Sequence, residues 1–420
     1  MKNYFSKLKT ILKEQFVLYF ILLIFSTLFI FKMALSAFFT QEDIIVDWVT
    51  FSLIALFMFS FIIQSLLLQK KCYPLFLFRV LVVIFLIFQV GWRHINFASY
   101  PKIFAQETGN SYDEQNDLLG FRLSPNLHNA QLCRIRQMMG NDTLCKVFYS
   151  SDSFCRRIPD DTFMEEYSVN QSHPDSHAVF LGCSFTFGDG LMYSSTFPYL
   201  FEKLNPDYKS YNYGVPGFGP HQIALLFDDQ VNTINEEAIP EKKGFALYTY
   251  IDDHLNRVYG GSMYLRWAPF LSRNHDVYIE NDSLKIKKRS QAQLKFADFL
   301  NQIALFKIFD VQFSYPKKEA FYKRFASIIN YTAKKYWELK PDNHFYVSIY
   351  PGYGIDLNWV QYLDERIVVL KVDLPSDYGI NRSKYELNKY NAHPSEEANA
   401  HYACEFTRLI EEYELQNKIN

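Results

Sequence analysis

The 420 residues carry 43 basic and 45 acidic side chains, a net charge of −2, so nucleic acid is not expected as a partner. Hydrophobic residues make up 49% of the chain, with 40 Phe and 30 Tyr, and the excess gathers in the first 92 residues. That clustering is a membrane pattern followed by a more polar remainder.

Residues 1–15 are basic and amphipathic, with Lys2, Lys7, Lys9 and Lys13. Apolar runs follow at 16–31, 47–68 and 74–92, each close to the length that crosses a bilayer core. Two further runs follow the first, and no small-residue cleavage site is evident, so it reads as an anchor rather than a signal peptide. Residues 1–92 are therefore expected to form an all-α membrane segment of three transmembrane helices. The first loop is acidic (Glu42, Asp43, Asp47), whereas the N-terminal segment and the second loop (Lys70, Lys71) are basic. This asymmetry predicts a cytoplasmic N-terminus and residues 93–420 outside the cytoplasm, which is the periplasm if the membrane is a Gram-negative inner membrane. Lys32 and Arg79 fall near span ends, where long side chains reach the headgroups.

Residues 93–177 read as a polar connecting region, with a short ordered segment at 117–126 that ends in a turn. Three of the six cysteines lie there, and outside the cytoplasm Cys133 is expected to pair with Cys145 or Cys155. No Cys-x-x-Cys pair suggests zinc, and no metal site is expected.

Residues 178–420 alternate between two patterns. Short apolar runs at 178–183, 210–213, 245–251, 345–350 and 367–372 read as parallel strands. Stretches at 196–204, 222–236, 319–337 and 395–412 read as helices, which implies a parallel sheet covered on both faces. Residues 255–315 read as an insertion beside the site, with a hairpin at 278–286 and an apolar helix at 294–309.

The first of these strands runs into small residues at Gly182, Cys183 and Ser184, with Gly188 and Gly190 beyond. A serine at the carboxyl end of a parallel strand sits where open α/β sheets form their ligand crevice. Backbone N–H groups at such a turn can face a developing anion, which makes Ser184 a candidate nucleophile.

Gly182-Cys183-Ser184-Phe185-Thr186-Phe187-Gly188 resembles the first block of the SGNH, or GDSL-type, hydrolases, with Cys183 where that family commonly has Asp. The resemblance extends over residues 116–412 and implies a three-layer αβα fold. It also implies that Ser184 attacks an ester. Tyr211-Asn212-Tyr213-Gly214-Val215-Pro216-Gly217 is similar to the second block, so Gly217 N–H would join Ser184 N–H in holding the oxyanion. At the third block Asp252 stands where the family supplies an Asn donor. An ionised carboxylate cannot donate, so Asp252 would act protonated or yield to Asn256 or His254. Asn391-Ala392-His393-Pro394-Ser395 is similar to the last block, with His393 as the implied base and Asn391 in place of the usual acid. An amide can orient an imidazole but cannot stabilise an imidazolium by charge. Asp373, Asp377 or a backbone carbonyl are the other partners open to His393.

The resemblance thus implies a membrane-anchored serine esterase or O-acyltransferase acting outside the cytoplasm. Its substrate would be an acyl ester, acetyl among the options, on an envelope glycan or lipid, with no cofactor. The alternative is a weak or inactive SGNH-like module that binds a glycan or a membrane partner. The missing Asn and Asp favour that alternative, and the retained Ser184, Gly217 and His393 oppose it.

Overall fold

The computed structural model describes Val82 and residues 102–108, 113–137, 141–170, 174–259, 275–302, 318–388 and 391–419. The three apolar runs expected to span a membrane lie outside the described residues, apart from Val82. Among the described residues no helix is long and apolar enough to cross a membrane. The chain divides into one unit of residues 1–100 with 295–312 and another of residues 101–294 with 313–420. The second unit holds the sheet and the site.

That unit opens with strands β1 (Lys102–Thr108), β2 (Asp113–Asn116), β3 (Gly120–Leu123), β4 (Ala130–Gln137), β5 (Asn141–Ser151) and β6 (Arg157–Ile158), then helix α1 (Asp161–Asn170). An alternation of strands and helices follows: β7 (Ser176–Gly182), α2 (Ser184–Phe187), α3 (Phe197–Leu204), β8 (Tyr208–Gly214), α4 (Pro220–Leu225), β9 (Lys243–Tyr250) and α5 (Asp253–Tyr259). Next come the β10 (His275–Glu280) and β11 (Ser283–Lys288) hairpin, α6 (Gln291–Gln302), which from residue 295 on belongs to the first unit, α7 (Lys318–Leu339), β12 (His344–Ile349) and β13 (Ile367–Lys371). The chain closes with α8 (Tyr378–Tyr385), β14 (Glu386–Asn388), β15 (Asn391–Pro394) and α9 (Glu396–Ile419).

Nine strands form one sheet in the order β1-β4-β5-β6-β8-β7-β9-β12-β13. From β8 to β13 every pairing is parallel. The other four strands pair antiparallel and extend the sheet beyond β8. The segment read from the sequence as a connecting region therefore supplies sheet strands. The ordered segment expected at 117–126 is part of the β2–β3 hairpin, Asn116 facing Gly120.

The parallel strands read as near-continuous apolar runs because both faces are covered. Along β7, Val179 and Leu181 face one core with Ile223, Ala224, Phe325 and Ile329. Ala178 and Phe180 face the other with Phe197, Phe201, Tyr402 and Phe406. Phe180 meets the Phe197 ring edge-on at 5.0 Å. Each such side chain taken from water contributes about 1.5–3 kcal/mol.

One helix differs from expectation. The helix read at 222–236 stops at Leu225, because the Asp228 carboxylate accepts from Gln230 N–H at 3.0 Å and Asn232 turns to φ 47°. An Asp that bonds its own backbone competes with the helical ladder.

The cysteine expectation is also corrected in part. Cys155 is a free, buried thiol and pairs with neither Cys133 nor Cys145. In the β4–β5 register Cys133 stands opposite Lys146 and Cys145 opposite Arg134, so the two are not direct cross-strand partners. Burial pushes the Cys155 thiol up to about 11, so at pH 8 almost none is thiolate, the reactive form. In the native full chain at pH 8, maleimide is expected to label exposed Cys404 and to leave Cys155 untouched until denaturant is added. Peptide mapping reads this directly, and rapid native labelling of Cys155 contradicts the buried assignment.

Candidate active site

Ser184 is the first residue of α2, immediately beyond the end of β7, and Cys183 is its extended N-cap (φ −105°, ψ −151°). In the parallel order β8-β7-β9, the chain leaves β7 toward β8 and later crosses to β9 on the other side. Ser184 thus stands at the switch point, where such sheets form their crevice. As a first-turn residue of α2, its N–H has no acceptor within the helix.

His393 arrives from the other end of the chain, on β15. Ser395 fixes the approach: its hydroxyl accepts from Ala398 N–H at 3.2 Å as the cap of α9 and donates to Lys384 carbonyl at 2.7 Å. Glu396 and Glu397 follow in the first helical turn, where negative charge complements the helix dipole. Pinned in this way, His393 Nε2 lies 2.8 Å from Ser184 Oγ. At that distance a serine hydroxyl and an imidazole share a hydrogen bond, the arrangement a nucleophile and its base require. Ser184 is 6% exposed and the His393 side chain 27%, so the pair is accessible from one side.

The second block forms the neighbouring wall. Val215 N–H donates to Gly182 carbonyl at 3.2 Å, joining the end of β8 to the end of β7. Val215, Pro216, Gly217 and Phe218 then make a turn closed by Phe218 N–H to Val215 carbonyl at 3.1 Å. Gly217 has φ 83°, the value required two residues after the start of a type II turn, with Pro before it. Arg257 of α5 donates to Phe218 carbonyl at 2.8 Å and holds this turn in place. Gly214 is needed for another reason, since a Cβ there would lie 2.3 Å from the Phe187 nitrogen.

Asp252 does not point a donor at the site. Its carboxylate accepts from Gly354 N–H at 3.1 Å and from Tyr250 hydroxyl at 3.2 Å. Those bonds tie the loop after β12 to the end of β9. His254, one expected substitute, is wholly buried with Nδ1 2.7 Å from Tyr248 hydroxyl. Asn256, the other, is exposed on α5. Asp377 accepts from Tyr385 hydroxyl and from Asn381, and Asp373 is exposed, its backbone carbonyl 2.8 Å from His401 Nε2. Asn391 lies two positions before His393 on β15, and its side chain falls outside the described residues.

Three residues at the site went unassigned from the sequence. Arg157, on the antiparallel extension, is 1% exposed and sends its guanidinium to the carbonyls of Phe187 (2.6 Å), Gly188 (2.8 Å) and Leu191. It lies against the Tyr149 and Phe187 rings, 4.6 Å from each centroid. Burial works against its charge, while Tyr149, Tyr193, Asp189 and Asp160 support it. Asn212 donates to Thr186 carbonyl at 3.2 Å and accepts from Gly214 N–H at 3.0 Å. Asp189 lies beyond α2, with its side chain 5% exposed and Oδ2 3.9 Å from His393 Nε2. The period-two pattern of Cys145, Val147 and Tyr149 was the available signal for β5, whose Tyr149 ring lies against Arg157.

Beside the dyad, Phe185 lies 5.4 Å from the His393 ring and 5.5 Å from the Tyr353 ring. Beyond it opens a cavity of about 260 Å³ lined by Phe185, Tyr350, Tyr353, Tyr378, Tyr385 and Arg382, among others.

No family model matches this chain, and no curated protein matches it. Among solved structures it is similar to an acetyl xylan esterase from the rumen bacterium Butyrivibrio proteoclasticus, at 11% identity over 76% of this chain and 97% of that one, with a TM-score of 0.36.

Proposed function

We propose that this chain is a serine hydrolase of SGNH type. In this reading it is a membrane-anchored esterase or O-acyltransferase acting outside the cytoplasm on acyl esters, acetyl among them, of an envelope glycan or lipid. The observation that carries the reading is the 2.8 Å contact between Ser184 Oγ and His393 Nε2. Ser184 Oγ attacks the ester carbonyl as His393 takes its proton, and the Ser184 and Gly217 N–H groups hold the oxyanion. His393 then returns the proton to the leaving alcohol. Water, or an acceptor hydroxyl in a transferase, releases the acyl group by the reverse steps. The tyrosine-rich cavity beside Phe185 supports a carrier with a flat or ring-shaped face.

One observation favours a second reading. Asp252 spends its carboxylate on Gly354 N–H, so the third block contributes no side-chain donor at that position. Loss of one such donor typically costs about 100- to 1000-fold in rate. This fits a weak or inactive module that binds a glycan or membrane partner. A fluorophosphonate probe on the full chain separates the two. Covalent labelling is expected in the wild type and absent in Ser184→Ala. Folded wild-type protein that takes no label overturns the hydrolase reading in favour of the binding module.

A further inference from the structure

The last block lacks its acid, yet a carboxylate stands beside the base. Asp189 lies between two glycines in left-handed conformation, Gly188 at φ 79° and Gly190 at φ 87°. Tyr149 hydroxyl donates to Asp189 Oδ1 at 3.2 Å and accepts from Gly190 N–H at 2.8 Å. The other oxygen, Oδ2, lies 3.9 Å from His393 Nε2, the same ring nitrogen that meets Ser184 Oγ. The Asp189 side chain is 5% exposed, with the Tyr149 hydroxyl bonded to Oδ1 and the buried Arg157 guanidinium nearby.

We infer that Asp189 provides the negative charge that Asn391 does not, stabilising the imidazolium of His393 from its Nε2 edge. The inference rests on the hydrolase reading of Ser184 and His393. In the step concerned the Ser184 O–H bond breaks and its proton goes to Nε2. The Oγ electron pair forms the bond to the carbonyl carbon, and the carbonyl π pair moves onto oxygen. Asp189 gains and loses nothing in this step. Its charge lies close to the new N–H⁺ and makes the transfer less costly, so it is a positioning residue acting through His393.

Other groups around His393 set the background. From α2 it meets Ser184 and the Phe185 ring. On β14, which pairs with β15, Glu386 is bound to Arg382 at 2.5 Å. On α9, Glu396 and Glu397 are exposed, where solvent screens them. Asp189 differs in being both buried and within 4.0 Å of Nε2.

The test is the pH dependence of fluorophosphonate labelling, and of nitrophenyl acetate hydrolysis, in full-chain Asp189→Asn. An opposite charge within a few ångströms favours the charged form of its neighbour. Neutralising Asp189 is therefore expected to move the acidic limb, which reports His393, down by about one pH unit. It is also expected to slow labelling about 10- to 100-fold at pH 7. Asp189→Glu should keep the limb near its wild-type position. Asp189→Ser serves as a second neutral variant if Asn does not yield folded protein. An acidic limb that stays in place in a folded neutral variant overturns the inference, whatever the loss of amplitude, because a merely structural role lowers amplitude alone. Wild-type protein that takes no label overturns the hydrolase reading itself, and the inference with it. Labelling in the wild type with an unmoved limb overturns only the role of Asp189.

Discussion

Ser184→Ala and His393→Ala are each expected to lower kcat for a short-chain nitrophenyl ester by at least about 1000-fold in the full chain. The double variant is expected to lose no more than either single one. The reason is the shared hydrogen bond at 2.8 Å: once the base has no nucleophile to deprotonate, removing it costs nothing further. Losses that multiply in the double variant mean that the two side chains act separately, and the dyad assignment fails. Ser184→Ala with wild-type turnover removes the nucleophile altogether.

The second large effect is on stability in acid. Three histidines are buried with 0–3% exposure and are held neutral by the fold. Burial pulls His177 down to about 4, with Lys340 adding to the effect and its Nε2 2.7 Å from Tyr336 hydroxyl. Burial, then Arg289, Arg324 and Arg257, pulls His221 down to about 3. Burial, then Arg257 and His221, holds His254 well below the usual histidine range. These are bases whose folded-state pKa is depressed, so the unfolded chain binds protons first. Their contribution is complete above about pH 6.5 and is lost as pH falls from there toward about 4. Each proton taken up costs about 1.4 kcal/mol per pH unit, so the three together cost about 4 kcal/mol per unit at the steepest point. From pH 6.5 to 5 that amounts to about 6 kcal/mol, a large share of a typical domain stability of about 5–15 kcal/mol, so a marked loss of stability is expected by pH 5. Urea titrations at pH 7, 6 and 5, followed by tryptophan fluorescence, measure it. His254→Phe should flatten the slope by about one third, since it removes one of the three sites. Stability that stays level from pH 7 to 4.5 contradicts the neutral, buried assignment.

The parallel half of the sheet was legible because burial on both faces writes an unbroken apolar run, as in Ala178-Val179-Phe180-Leu181. Ser184 was legible because small residues interrupt that run at the strand end. His393 was legible because His-Pro-Ser precedes a helix and Ser395 caps it as expected. The parts that stayed hidden act at a distance in sequence. Arg157 and Asn212 work by donating to carbonyls of the Ser184–Leu191 segment, and a carbonyl is the same in every residue, so no local pattern announces its partner. Asp189 sat in plain view after the nucleophile, but only the return of the chain at β15 brings it within 3.9 Å of an imidazole. The end of α4 was missed because the apolar spacing continues past Leu225 while the Asp228 side chain reclaims the backbone. Asp252 stood in the sequence where a side-chain donor was looked for, and its use in the fold is to anchor the loop at Gly354.

The Arg157 contacts bear on how this protein can be divided and recombined. The carbonyls of Phe187, Gly188 and Leu191 take their donors from a side chain that the ribosome finishes before the nucleophile strand begins. A graft of residues 176–419 into another scaffold would carry the dyad and leave those acceptors facing an empty wall. The working cassette therefore starts upstream of Tyr149. The geometry around Ser184 is thus set in part by strands that lie outside the parallel half of the sheet.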